Sequence, residues 1–166
     1  MDQLRPGKSV TFVKTGGSEG TARVVGDSSE QRRVESLMLE LLGARLGLTL
    51  APRRMKAPSG AFIDVDGVAP DGSVLVECWA HQGAAKVAQK YKLVNDAAKL
   101  QWAATWLVPA PRALLLCVGD EAAVRHLRGS SWQGEAIRSM GVGIEVVRLE
   151  DVDVAALVEA QKRQFR

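Results

Sequence analysis

The chain has 166 residues, 46% hydrophobic and 25% charged, which suits one globular domain with a proper core and excludes a disordered or fibrous chain. A net charge of +3 and a pI near 9.1 permit an anionic partner without requiring one. Two cysteines, Cys78 and Cys117, are too few for a disulfide framework and lack the paired spacing of a zinc site; the amino terminus has no signal-peptide core, and the longest aliphatic run, Ala113 to Val118, falls far short of the ~20 residues of a membrane span. A soluble, reduced, cytoplasmic protein with no membrane partner is the expectation.

Residues 1 to 27 read as a short hairpin, with strands over Val10–Val13 and Thr21–Val25 around Gly16-Gly17, or as a basic arm. A single α/β domain is expected over 28 to 166. Asp27-Ser28-Ser29 before Glu30 is a helix-start signal. Val34, Leu37, Met38, Leu41, Leu42 and Leu46 then recur at helical spacing, and Gly47 stands where a helix C-cap belongs. Leu48 to Met55 reads as a strand ending in the basic cluster Arg53, Arg54 and Lys56, a solvated strand end or a phosphate contact.

From Ala61 to Ala69 the residues alternate, placing Phe62, Asp64, Asp66 and Val68 on one face. Pro70-Asp71-Gly72 is a turn, because Pro presets φ and Gly accepts the left-handed conformation. Ser73 to Ala80 is the returning strand. A helix from Gly83 to about Leu107 follows, with Val87, Tyr91, Val94, Ala98, Trp102 and Thr105 as its apolar stripe. The tryptophans read as core residues rather than base-stacking platforms. Pro109 and Pro111 stop this helix, and Arg112 to Val118 has the unbroken apolarity of a central strand. Short helices over 119–128 and 132–140, a strand over 143–149 and a closing helix over 150–165 complete the chain. This order predicts a mixed β-sheet with helices on both faces.

The chemistry-bearing residues gather on the predicted hairpin and the helix after it. A phosphodiester repels nucleophiles, and divalent ions held by carboxylates offset that charge and acidify a bound water. Mg²⁺ prefers hard oxygen ligands and takes one or two carboxylates from a protein. Asp66 and Glu77 on adjoining strands would form such a frame, with Asp64 as a further candidate ligand. Register decides the geometry. A three-residue loop sets Asp66 opposite Val76 and leaves Glu77 on the other face. A four-residue loop pairs Asp66 with Glu77, and a two-residue loop pairs Asp64 with Glu77; a bulge also changes the parity.

Strand–Asp66–turn–strand–Glu77, between a preceding and a following helix, resembles the PD-(D/E)XK nuclease superfamily over roughly residues 28 to 149. The resemblance implies a restriction-endonuclease-like αβββαβ core and a Mg²⁺- or Mn²⁺-dependent deoxyribonuclease acting on DNA. Asp66 and Glu77 would be its metal-binding acids, Gln89 its helix glutamine, and Glu30 or Glu35 its first-helix acid. The sequence departs from the motif at its lysine, two residues after Glu77, where it carries Trp79. Some members move that lysine to the next helix. Here Gln82, Lys86, Gln89 and Lys90 fall within about 100° of one another on a helix. Lys86 is therefore the expected substitute, with Gln89, Lys90, Arg53 and Arg54 toward substrate. The alternative is a catalytically silent nuclease fold used as a DNA- or protein-binding module. A homodimer or larger complex is compatible with either.

Overall fold

The computed structural model describes residues 25–164. Helix α1 (Val25–Leu46) is followed by strands β1 (Ala51–Lys56), β2 (Phe62–Val68) and β3 (Val74–Trp79) and helix α2 (Val87–Ala104). Strand β4 (Ala113–Val118), short helices α3 (Glu121–Arg128) and α4 (Trp132–Ser139), strand β5 (Val142–Val146) and helix α5 (Asp151–Gln164) complete the order. The strands form one sheet in the order β1-β2-β3-β4-β5. The pairings β1–β2 and β2–β3 are antiparallel, and β3–β4 and β4–β5 are parallel. The fold is therefore α/β with a mixed sheet and flanking helices. The hairpin expected before residue 25 lies outside the described residues, except that Val25 itself opens α1.

Two apolar cores sandwich the sheet. On one face Leu75, Trp79, Leu114, Leu116 and Val118 meet Leu93, Ala97 and Leu100 of α2, Val124 and Leu127 of α3, and Ile137 of α4. On the other, Val74, Val76, Cys78 and Cys117 meet Val34, Met38, Leu39 and Leu42 of α1 and Leu157 of α5. Every residue of β3 is buried, because helices cover both its faces.

Helix α1 starts at Val25, ahead of the expected cap, and ends where the sequence places its stop. Gly47 adopts φ 66°, and its N–H and that of Leu48 close back on the carbonyls of Ala44 and Gly43 at 3.4 and 2.9 Å. These two bonds satisfy carbonyls that the helix end would otherwise leave open.

Helix α2 reverses the expected face. It starts at Val87, four residues after the predicted Gly83, and buries Leu93, Ala97, Leu100 and Ala103. Val87, Tyr91 and Trp102 of the predicted stripe are 69%, 50% and 39% exposed. The buried row carries Ala97 and Ala103 beside Leu93 and Leu100, and Val94 of the expected stripe packs partly against the same core. Trp132 on α4, expected in the core, is likewise 54% exposed.

The β2–β3 hairpin has a four-residue loop, Pro70 to Ser73, closed by the Ala69 N–H to the Val74 carbonyl at 3.0 Å. Gly72 takes φ 74°, and the Asp71 carboxylate accepts the Ser73 N–H at 3.0 Å. The ladder pairs Val68 with Leu75 and Gly67 with Val76, so one further step would set Asp66 opposite Glu77. On its other edge β2 carries a bulge. Ala51 pairs with Val68 and Arg53 with Val65, so Pro52 alone faces both Asp66 and Gly67. Proline suits that position because it has no N–H to offer the ladder.

Candidate functional site

Loop and bulge each shift the parity of β2, and together they cancel. Val65 and Val68 both enter the α2-side core, which strict alternation forbids for residues three apart. Gly67 is turned to α1, since a Cβ there would lie 2.4 Å from Leu39 Cδ2. Asp66 lines a cavity of about 260 Å³ with Arg32, Glu35, Ser36 and Leu39 of α1 and with Pro52. Glu77 falls between Leu75 and Trp79 and so points to α2. The two acids thus leave the sheet on opposite sides.

They still communicate, because the β2–β3 ladder ends at Gly67 and Val76. Into that fork Asp66 sends Oδ2, which accepts the Cys78 backbone N–H at 2.8 Å. The carboxylate therefore replaces a ladder bond between the strands, within reach of groups on both faces. Glu77 is 3% exposed. Its Oε2 meets Lys99 Nζ at 2.6 Å, and Oε1 is buried without a hydrogen-bond partner. Burial pushes the Glu77 carboxyl up to about 7, the Asp66 charge adds to the rise, and Lys99 offsets part of it. Burial also raises Glu35; the Gln31 amide, 3.0 Å away, works against the rise and the Asp66 charge adds to it.

Helix α2 contributes Lys92, Asp96 and Lys99 at i, i+4 and i+7, which puts all three on one face. Lys92 pairs with Asp96, and Lys99 also donates to the Asp64 carbonyl at 2.9 Å. Burial lowers Lys92, but its bond to Asp96 and the charges of Asp96, Glu77 and Asp66 outweigh that and hold it above the ordinary lysine value. The structure thus brings Glu35, Asp66, Glu77, Lys92, Asp96 and Lys99 into one charged cluster around the fork.

Other expected site residues lie elsewhere. Lys86 is the exposed N-cap of α2. Gln82, expected on that helix, precedes it and donates to the Gly119 carbonyl at 3.4 Å. Gln89 is engaged at both ends: its oxygen accepts the Lys86 N–H at 2.7 Å and its amide meets His81 Nδ1 at 3.3 Å. Gln161 of α5 reaches the same nitrogen at 3.1 Å, and the imidazole stacks on Trp79 at 4.6 Å between centroids. Gln89, His81 and Lys92 line a second cavity of about 220 Å³ with Gln31, Trp79 and Gln161. Lys90 is half-buried, near enough to His126 of α3 to lower that imidazole, whose pKa is held down first by burial.

Asp64 is largely exposed, 4.0 Å from Arg54 at the β1 side of the strand. Arg53 donates to the carbonyls of Ala69 and Pro70 at 3.3 and 3.4 Å, and Arg54 lies over the Phe62 ring at 5.0 Å. Glu30 faces away from the fork in a chain with Arg33 and Asp153, both links 2.7 Å. Lys92, Asp96 and Lys99 were missed by the sequence reading. Their one-face spacing is visible in the sequence, but the same helix carries the more conspicuous stripe of Val87, Tyr91 and Trp102 on another side.

Among the described residues no three His, Cys, Asp or Glu side chains group as a ready metal cage, and no helix is long and apolar enough to cross a membrane. Compared with known proteins, the chain matches no family, no curated sequence and no solved structure.

Proposed function

We propose that the fork is the site of a divalent-metal-dependent, restriction-endonuclease-like nuclease that hydrolyses DNA phosphodiester bonds. The observation that carries this reading is the buried carboxylate of Glu77, whose Oε1 has no partner and whose neighbour is a second acid, Asp66. Lys99 offsets only part of the cost of burying this carboxylate beside a second acid, and a cation would relieve the rest. Asp66 and Glu77 are the hard oxygen donors that Mg²⁺ or Mn²⁺ takes, and two carboxylates are enough for such an ion. Once bound, the ion would supply charge neutralisation and an acidified water.

The chain's own groups have distinct parts in this reading. In this reading Asp66 reaches the ion through the opening between the strands, where the Cys78 N–H orients it, and Glu77 meets it from the α2 side. Lys92 and Lys99 replace the lysine that the motif lacks at Trp79, and they bring positive charge to an anionic phosphate. Lys86 is the weaker candidate, since it is the exposed N-cap of α2. The exposed strand β1, with Arg53, Arg54 and Lys56, gives the DNA backbone a basic edge next to the bulge.

The second reading, a nuclease fold kept for binding, is favoured by one observation. Trp79 is buried and stacked on His81, so the motif's lysine position is given over to packing. Cleavage of single- and double-stranded DNA with Mn²⁺ separates the two. Turnover that is lost in Glu77→Gln and in Lys92→Met supports the nuclease; DNA binding without turnover supports the binding module.

A further inference from the structure

Helix α2 and helix α4 leave two aromatic rings facing solvent together. Tyr91 is 50% and Trp132 54% exposed, their centroids 5.9 Å apart and their planes tilted by 51°. Burial of apolar surface does not explain them, because the core of this face is closed by Leu93, Ala97, Leu127 and Ile137. Lys90 directly precedes Tyr91 and acts on His126 of α3, next to the exposed Arg125, while Glu135 stands one turn beyond Trp132. Tyr91 directly precedes Lys92 of the charged cluster and stands about 100° from it around α2.

We propose that Tyr91 and Trp132 form a stacking platform for unpaired bases of the strand that reaches the fork, which makes the substrate a nucleic acid with a single-stranded segment. This rests on the nucleic-acid reading of the fork. Every base has an apolar π-face, and in a continuous duplex the neighbouring base pairs cover it. An unpaired base can turn to meet either of two rings set at an angle, whereas stacked pairs cannot follow both. Exposed aromatics among cations are the usual composition of such surfaces, and each stacked base contributes roughly 1–3 kcal/mol.

The test compares binding of labelled oligothymidylate and of a blunt duplex of equal length to the full chain, without divalent ions so that no cleavage occurs. Tyr91→Leu and Trp132→Leu keep apolar bulk but remove the ring. The expected result is a weakening of oligothymidylate binding of about 5- to 100-fold for each variant, with duplex binding unchanged. Unchanged oligothymidylate binding in both variants, or equal losses on both ligands, overturns the platform. Wild-type protein that binds duplex but not oligothymidylate overturns it while sparing the nuclease reading; binding of neither removes both. Sedimentation showing a wild-type dimer that Trp132→Leu dissociates would assign the rings to a second copy of the chain and overturn the platform.

Discussion

Replacing Glu77 by glutamine isolates the strain held at the fork. The buried carboxyl has its pKa raised from 4.5 to about 7, burial being the main cause and Asp66 the second. A raised acid binds its proton more tightly in the folded than in the unfolded chain. Below the unfolded value both states are protonated and this group exacts no penalty. As pH rises from 4.5 to 7 the unfolded chain ionises first, and stability falls; above 7 the loss is complete. A shift of this size corresponds to roughly 3 kcal/mol. Glutamine mimics the protonated acid at every pH and leaves the Lys99 bond to the Asp64 carbonyl available. Urea denaturation near pH 5 and near pH 8, without divalent ions, reads the effect. Burial lowers His81 and His126, but they are common to both proteins and cancel in the difference. The variant should be more stable than the parent by roughly 1 kcal/mol near pH 5 and by roughly 3 kcal/mol near pH 8. A variant less stable than the parent by the same amount at both pH values would refute the reasoning, because it would make the carboxylate–Lys99 pair a net stabiliser.

Asp66→Ala leaves the Cys78 N–H without its acceptor and should cost about 1–3 kcal/mol in a melt, whereas Asp66→Asn keeps an acceptor and should cost less. Both should abolish Mn²⁺ binding. Gly67→Ala drives a methyl group against Leu39 at the bulge and should destabilise the protein by about 1–3 kcal/mol. Gly134→Ala should be worse, because its Cβ would meet the backbone oxygen of Leu127 at 2.1 Å; thermal unfolding of both variants checks the order. Cys78 and Cys117 are buried, and the Cys78 thiol is pushed far up by its bond to Cys117 and by burial, so a thiol-specific chromogenic disulfide should label neither until the protein unfolds. In the Mn²⁺ cleavage assay, Lys92→Met should remove most activity and Lys86→Met little.

Much of the fold was legible because its signals are local. The Gly47 cap, the Pro70–Gly72 turn, the apolar run of β4 and the order of elements each rest on a short stretch of residues. What the sequence hid depends on partners far along the chain. The face that α2 buries is decided by its packing against the sheet, α3 and α4, and nothing in residues 87–104 ranks that face above an aromatic stripe. The bulge opposite Pro52 is a property of two strands, so alternation within β2 alone could not reveal that Asp66 turns toward α1. For the same reason Glu77 and Asp66 were recognisable as a pair of acids, while their meeting through a fork, with Lys92 and Lys99 behind them, was not.

The central claim is that this fork binds a divalent cation. Titrating Mn²⁺ into the full chain near pH 8 by calorimetry tests it most directly. The account predicts one ion per chain, weaker binding as pH falls through 7 because protons compete for Glu77, and no binding in Glu77→Gln. An absence of binding in the parent protein, or equal binding in Glu77→Gln, would contradict it.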